Sequence, residues 1–263
     1  MKIDAYLTPN FIELEGQFNN NIVVLIDVLR ASTTICVALN NGAKDIIIAE
    51  SIEKASKIYG SLVREVRFLG GERNGIKPNG FDGGNSPLDY TPSAIKGRTI
   101  ILSTSNGTKL FLKARQAKVR IIGAFVNNKA VLEYIYKFIK ESDNVYTPDI
   151  AIMCAGTNGR LSYEDTLCAG SYIDELFKFN SHAQLTDSAH AARDLFNLHS
   201  SALTEFLKKS EHAIYLQQSG FASDLELALT FDSYPVVPLI TASTVKIFDG
   251  NIPGSSEPGN INN

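Results

Sequence analysis

Asp27-Val28-Leu29-Arg30-Ala31-Ser32-Thr33-Thr34 puts an acid, a guanidinium and three hydroxyls within eight residues, directly after the apolar run Ile22–Ile26. Such a set could hold a metal ion and a phosphate together. The planar guanidinium fork pairs bidentately with an oxyanion, and hydroxyls and helix N–H groups complete a cradle. The same residues also describe an Asp–Arg ion pair beside a Ser/Thr-capped helix. A second cluster, Ser103-Thr104-Ser105-Asn106-Gly107-Thr108, suits either anion binding through backbone N–H groups or a plain left-handed turn and helix cap.

A third cluster, Met153-Cys154-Ala155-Gly156-Thr157-Asn158-Gly159-Arg160, has a cysteine and an arginine with five residues between them. That is the spacing of the cysteine-phosphatase loop, where a low-pKa thiolate attacks phosphorus while the arginine holds the oxygens. Met153 stands where that loop has His, and Leu161 where it has a hydroxyl residue. A buried, inert cysteine at a strand end is the plainer reading. Next come Ser162-Tyr163-Glu164-Asp165. Ser162 and Asp165 are spaced as a capping box, yet Glu164 and Asp165 could equally bind a hard divalent cation near a phosphate.

The densest polar stretch is Gly70 to Tyr90, with Glu72, Arg73, Asp82, Asn85 and Ser86 held among glycines and anchored by Phe81, Leu88 and Tyr90. A connection this long is either functional or an Ω-loop that satisfies its own backbone. The histidines are His182, His190, His199 and His212, and their spacing fits no standard zinc pattern. They read as surface or packing residues, with His212 kept as a possible site member.

These clusters need a frame. Short β-branched runs at 22–26, 46–48, 66–69, 99–102, 119–122 and 150–153 predict strands, most of them buried on both faces. Segments 52–62, 128–140 and 162–179 carry helical periodicity, and 182–230 turns mainly helical. The expected fold is α/β: a layered, mainly parallel or mixed sheet flanked by helices, with a more helical C-terminal part. Three of the clusters then sit at carboxyl ends of strands, where ligands bind in open α/β sheets. Two prolines in 235–240 predict an edge strand there.

Length allows one catalytic unit, or two α/β lobes of about 1–145 and 146–250 sharing a cleft, with the boundary near 143–148 and a mobile tail at 251–263. The 44% hydrophobic and 20% charged fractions suit a chain with a sizeable core. Lys plus Arg is 25 against 28 for Asp plus Glu, so no basic excess points to nucleic acid. Cys36, Cys154 and Cys168 are too few for a disulfide framework, and no apolar run suggests a membrane span. The early Asp4 argues against a signal peptide, so the expected location is cytoplasmic.

Taken together the blocks resemble the 2-phosphosulfolactate phosphatase family. The resemblance is carried by Asp27 to Thr33, Gly71-Glu72-Arg73, Gly80-Phe81-Asp82 with Gly84-Asn85-Ser86-Pro87, and Asn106-Gly107-Thr108. Cys154-Ala155-Gly156 and Glu164-Asp165 with Cys168-Ala169-Gly170 complete it. Weaker similarity continues through Ser210-Glu211-His212, Gly220, Asp224 and Val237-Pro238. Gly83 stands where a larger residue is expected and Ser105 where threonine is.

The resemblance implies a Mg²⁺-dependent phosphatase of the coenzyme M biosynthesis type. It would hydrolyse (R)-2-phospho-3-sulfolactate to 3-sulfolactate and phosphate, and work as a homodimer. A small anionic phosphorylated substrate of this kind needs cationic partners; Arg30 and Arg73 are best placed in sequence, with Arg160 third. On this reading Asp27, Arg30 and Glu164 are catalytic, and Asp27, Glu72, Asp82, Glu164 and Asp165 are the candidate metal ligands. Ser32, Thr33, Arg73, Asn85 and Ser86 would bind substrate, with Asn106, Gly107, Thr108, Cys154 and Gly156. Which carboxylate acts as nucleophile, base or ligand stays open. Two other readings stand beside this one: a metal-free cysteine phosphatase using Cys154 and Arg160, and an anion-binding protein without hydrolysis.

Overall fold

The computed structural model describes residues 1–11, 18, 21–141 and 147–250. The expected tail at 251–263, and most of the suggested lobe boundary, lie outside the described residues. Ten strands form one mixed sheet. They are β1 (Lys2–Tyr6), β2 (Ile22–Ile26), β3 (Asp45–Ile48), β4 (Arg67–Gly71) and β5 (Thr99–Ser103). They continue as β6 (Val119–Gly123), β7 (Ile150–Cys154), β8 (Gln184–Leu185), β9 (Pro238–Thr241) and β10 (Thr244–Ile247). The spatial order is β4-β5-β3-β10-β9-β6-β2-β7-β1-β8.

The helices in chain order are α1 (Ala31–Asn40), α2 (Ile52–Ser61), α3 (Pro92–Ile95), α4 (Gly107–Lys113) and α5 (Asn128–Glu141). Then come α6 (Tyr163–Phe179), α7 (Asp187–His199), α8 (Leu203–Leu207), α9 (Glu211–Gln218) and α10 (Ala222–Ala228). The α/β class and the helical C-terminal part are therefore as the sequence predicts. Strand β2 shows why. All five of its residues are buried, but Ile22, Val24 and Ile26 pack with α5–α10 residues such as Ile135, Leu167 and Leu216. Val23 and Leu25 pack on the opposite face with Ile35, Leu39 and Phe111 from α1 and α4. Alternate side chains of a strand point to opposite faces, so an all-apolar strand requires a helical layer on each side.

Strands β1, β8 and β10 have no predicted counterpart, and one predicted strand is placed otherwise than expected. The segment read as an edge strand contributes β9, which lies inside the sheet between β10 and β6, antiparallel to both. Pro238 is its first residue, a position where a missing N–H interrupts no central ladder, and Pro235 precedes the strand altogether. The hairpin β9–β10 has a structural consequence. Pairings β3–β10, β10–β9 and β9–β6 are all antiparallel. The parallel group β4-β5-β3 therefore runs opposite to the parallel group β6-β2-β7-β1. Five pairings separate β5 from β2, and a strand twist of roughly 20–25° at each adds up to roughly 100–125°. Twist on that scale lets the carboxyl ends of oppositely running strands converge on one cleft.

Candidate active site

That cleft has a volume of about 410 Å³. Asp27 and Arg30 enter it from the end of β2, Glu72 from the end of β4, Ser105 and Asn106 from the end of β5, and His212 from α9. Asp27 is held where β2 gives way to α1: Ala31 N–H donates to its Oδ1 at 3.2 Å. The Ser32 hydroxyl accepts from the Asp27 N–H at 2.9 Å and pins the same turn. Gly107 opens α4 against this carboxylate, and a Cβ there would lie 2.8 Å from Asp27 Oδ2. Only glycine lets the helix start so close.

Four buried carboxylates bear on the cleft: Asp27 and Glu72 line it, Glu164 meets the lining residue His212, and Asp165 interacts with Asp27. Glu72 is fully engaged, Oε1 accepting from Ser105 N–H at 2.6 Å and Oε2 from Gly75 N–H at 2.8 Å. Asp165 is too, with Val28 N–H donating to Oδ1 at 2.8 Å and Gly156 N–H to Oδ2 at 2.9 Å. It thereby ties the end of β2 to the end of β7. Glu164 and Asp27 differ. Glu164 Oε1 meets His212 Nδ1 at 2.9 Å, while its Oε2 is buried without a hydrogen-bond partner among the described residues. At Asp27, among the described residues, only Oδ1 is hydrogen-bonded.

This crowding of acids has an electrostatic signature. Burial pushes the Asp27 carboxyl up to about 6; the Ala31 N–H and His212 oppose that rise, and Glu72 and Glu164 add to it. Asp165 is pushed well above the usual carboxylate range by burial, then by Asp27 and Glu164, against the Val28 and Gly156 N–H groups. Like charges held together in a dry site disfavour ionisation, and a cation among them would relieve the strain. Arg30 is the guanidinium in the cleft, its Nη1 donating to Asp224 Oδ2 at 2.7 Å.

A family model described as 2-phosphosulpholactate phosphatase matches residues 6–243. The chain belongs to this family. A relative in Caldanaerobacter subterraneus subsp. tengcongensis, named probable 2-phosphosulfolactate phosphatase, is 36% identical over 246 residues, 94% of this chain and 98% of that protein. Relatives with the same printed name occur in Thermotoga maritima, 42% identical over 82% of this chain and 88% of that protein, and in Clostridium novyi, 37% identical over 90% and 96%. Membership of the 2-phosphosulpholactate phosphatase family makes the chain a phosphoric monoester hydrolase by class.

Within this phosphatase frame, the structure brings Asp27, Arg30, Glu72, Asn85 and Asn106 to the cleft wall. Glu164 stands behind His212, and Asp165 beneath Asp27 as a clamp on two turns. Ser162 makes no side-chain cap, so the capping-box alternative for Asp165 is not realised. Other candidates lie elsewhere. Ser32 and Thr33 are fully buried, and their hydroxyls donate to the Leu25 and Val28 carbonyls. Ser86 donates to Asp224, and Thr108 Oγ1 accepts from Thr104 N–H. Arg73 is turned onto Ser103, with Nη2 donating to its hydroxyl at 2.9 Å. Asp82 is exposed and accepts from Leu69 N–H of the preceding strand β4.

Cys154 is fully buried, and burial followed by Asp165 and Glu164 pushes its thiol well up, so it stays neutral. Arg160 is exposed, its backbone paired with Thr157 in a turn that Gly156 enters at φ +59°. The thiolate-and-arginine cradle suggested by the spacing is not formed. On the other side, α9 contributes more than its sequence suggests: His212, Glu211 and Tyr215 all line the cleft. The Ser210 cap, which accepts from Ala213 N–H, announces the helix but not its direction.

As the structure stands, no group of three or more His, Cys, Asp or Glu among the described residues converges to hold a metal ion. A full protein cage is thus absent there. A cation that takes one or two carboxylates and fills the rest of its shell with water and substrate oxygens needs no such cage. Of the four buried carboxylates, Asp27 on the cleft wall and Glu164 behind His212 are the two with an oxygen, Oδ2 and Oε2, that has no hydrogen-bond partner among the described residues.

Proposed function

We propose that the chain hydrolyses 2-phospho-3-sulfolactate to 3-sulfolactate and phosphate with Mg²⁺ bound at Asp27 and Glu164. The observation carrying this reading is that two of four buried carboxylates keep an open oxygen beside a cleft that also presents Arg30. Relatives named for this substrate, aligned over most of the chain, support the choice of ester. When bound, the metal would neutralise phosphoryl oxygens and the acids around them. Arg30 would hold a substrate oxyanion through its planar fork. Hydrolysis forms a P–O bond to the incoming oxygen and breaks the P–O bond to the lactate carbon's oxygen, which takes up a proton. His212, with Nδ1 turned to Glu164 and no partner on Nε2 among the described residues, would exchange that proton through Nε2.

The acid excess of the cleft supports the need for a cation. Asp27, Glu72 and Glu211 face it with Arg30 as their guanidinium, so a multiply anionic substrate would otherwise meet net repulsion. Coenzyme M biosynthesis and a homodimer are what the family resemblance implies. Among the described residues no helix is long and apolar enough to cross a membrane. The test is phosphate release from 2-phospho-3-sulfolactate with Mg²⁺ and then with EDTA, beside 2-phospholactate and an aryl phosphate. Mg²⁺-dependent release that prefers the sulfonate supports the reading. No release with any divalent cation, or full release in EDTA, overturns it.

A further inference from the structure

Arg30 is an unusual anion-holding group, because its side chain is 3% exposed and so is its counter-ion, Asp224, at 2%. A cation buried this deeply is tolerated only when paired and hydrogen-bonded. Asp224 lies 194 residues away in α10 and meets Nη1 end-on at 2.7 Å. The Phe221 ring, just before the same helix, covers the guanidinium face with its centroid 4.2 Å from Cζ. Nη2 donates to the Gly75 carbonyl at 3.2 Å. End-on and face-on contacts together fix both the position and the rotation of the fork. Among the described residues two of its five N–H donors are used, which leaves three. Asp224 is itself held in place, because its other oxygen accepts from the Ser86 hydroxyl at 2.6 Å.

We propose that Asp224 is a positioning residue of the active site: it aims the free N–H groups of Arg30 at the substrate's oxyanion, and the helical C-terminal region is thereby part of the substrate site. The proposal rests on the phosphatase reading for its substrate but not for its geometry. Partners that orient a site residue without touching the ligand typically cost about 10–100-fold when removed. Here the cost falls on KM, because the anion is held in ground state and transition state alike. A merely structural Asp224 would behave otherwise. Its loss would reduce the folded fraction, lowering kcat with KM unchanged.

The experiment uses Asp224→Ala, Asp224→Asn, Arg30→Ala and the double variant Arg30→Ala/Asp224→Ala. Steady-state kinetics on 2-phospho-3-sulfolactate are read together with calorimetric binding of inorganic phosphate. Asp224→Ala is expected to raise KM about tenfold or more and to weaken phosphate binding in step. Asp224→Asn, which still accepts from Nη1, recovers part of the loss. The double variant, which leaves no unpaired buried charge, is no worse than Arg30→Ala alone, since residues in one ion pair are not additive. It also keeps the test open if Asp224→Ala does not fold. Wild-type KM and phosphate affinity in Asp224→Ala, or additive losses in the double variant, would overturn the proposal, as would a wild-type protein that binds no phosphate. Phosphate binding that falls in Asp224→Ala while the wild type releases nothing from 2-phospho-3-sulfolactate would overturn the substrate reading and leave the positioning role standing.

Discussion

The two sides of the cleft use the same residue type for opposite purposes. On the side built by β4 and β5, Glu72 has each carboxylate oxygen satisfied by a loop N–H, and Arg73 beside it is spent on Ser103. On the side built by β2, α6 and α9, Asp27 and Glu164 each keep an oxygen open. Asp165, directly below, is filled again. A carboxylate whose lone pairs are taken by backbone amides is a bracket that holds loops in register. One that is buried with a lone pair spare is held in an unfavourable charged state that a proton or a ligand relieves. Burial and charge alone do not separate these roles; the count of open oxygens does.

The contrast breaks most visibly in turnover. Asp27→Asn and Glu164→Gln should each lower kcat on the order of 10³-fold, within the range one positioned carboxylate supplies, while circular dichroism shows an intact fold. Activity within tenfold of wild type would move that residue to the bracket class. Asp165→Ala should do the reverse and act first on stability. It strips two buried N–H groups of their acceptor, a loss of about 2–4 kcal/mol by urea unfolding. Unchanged stability would mean those turns are held by something other than Asp165.

The open class also predicts a substitution that stabilises. Asp27 rises from 3.8 to about 6 in the folded protein, so the native state holds its proton more tightly than the unfolded chain does. The linked stability is fully present below pH 4 and is lost as pH climbs through 6. Roughly two units correspond to about 3 kcal/mol. In metal-free buffer Asp27→Asn should therefore match wild type near pH 4 and exceed it by about that amount at pH 7. Curves that stay parallel across this window would show that Asp27 is not held against its charge.

How far the sequence foretold this division depends on what sets it. The run Ile22–Ile26 announces a strand covered on both faces, and Asp27 and Arg30 at its end announce a site, because burial and strand-end chemistry are local signals. The reversal of β3, β4 and β5 against β2 is not local. It comes from β9 and β10 entering the middle of the sheet, and the prolines near 235–240 argued for an edge instead. For the same reason Ser32 and Thr33 read as substrate groups from their neighbours in sequence, although each hydroxyl finds a nearby carbonyl once the turn closes. His212 reaches the cleft, and Asp224 reaches Arg30 behind it, through the packing of α9 and α10, which no spacing within the first 170 residues could reveal. Asp82 shows the converse: it is acidic, close to Glu72 in sequence, and turned back onto β4.

The smallest predicted effect is also the cleanest test of which side of the comparison Cys154 falls on. Its spacing to Arg160 suggests a nucleophile, but its surroundings are those of a core residue. It is fully buried at the end of β7, and its Sγ makes a single weak contact, 3.5 Å to the Asp165 carbonyl. Burial and two neighbouring acids hold the thiol in the unreactive neutral form. Replacing it by alanine removes one sulfur from a packed interior and no group from the cleft, so a buried-atom loss of about 1 kcal/mol in stability is expected. KM and kcat should stay within about twofold, since nothing that touches substrate moves. A large fall in kcat with stability preserved, in protein whose activity also survives EDTA, would reverse the assignment. The open oxygens of Asp27 and Glu164 would then have to be read as features of an anion site serving a thiolate.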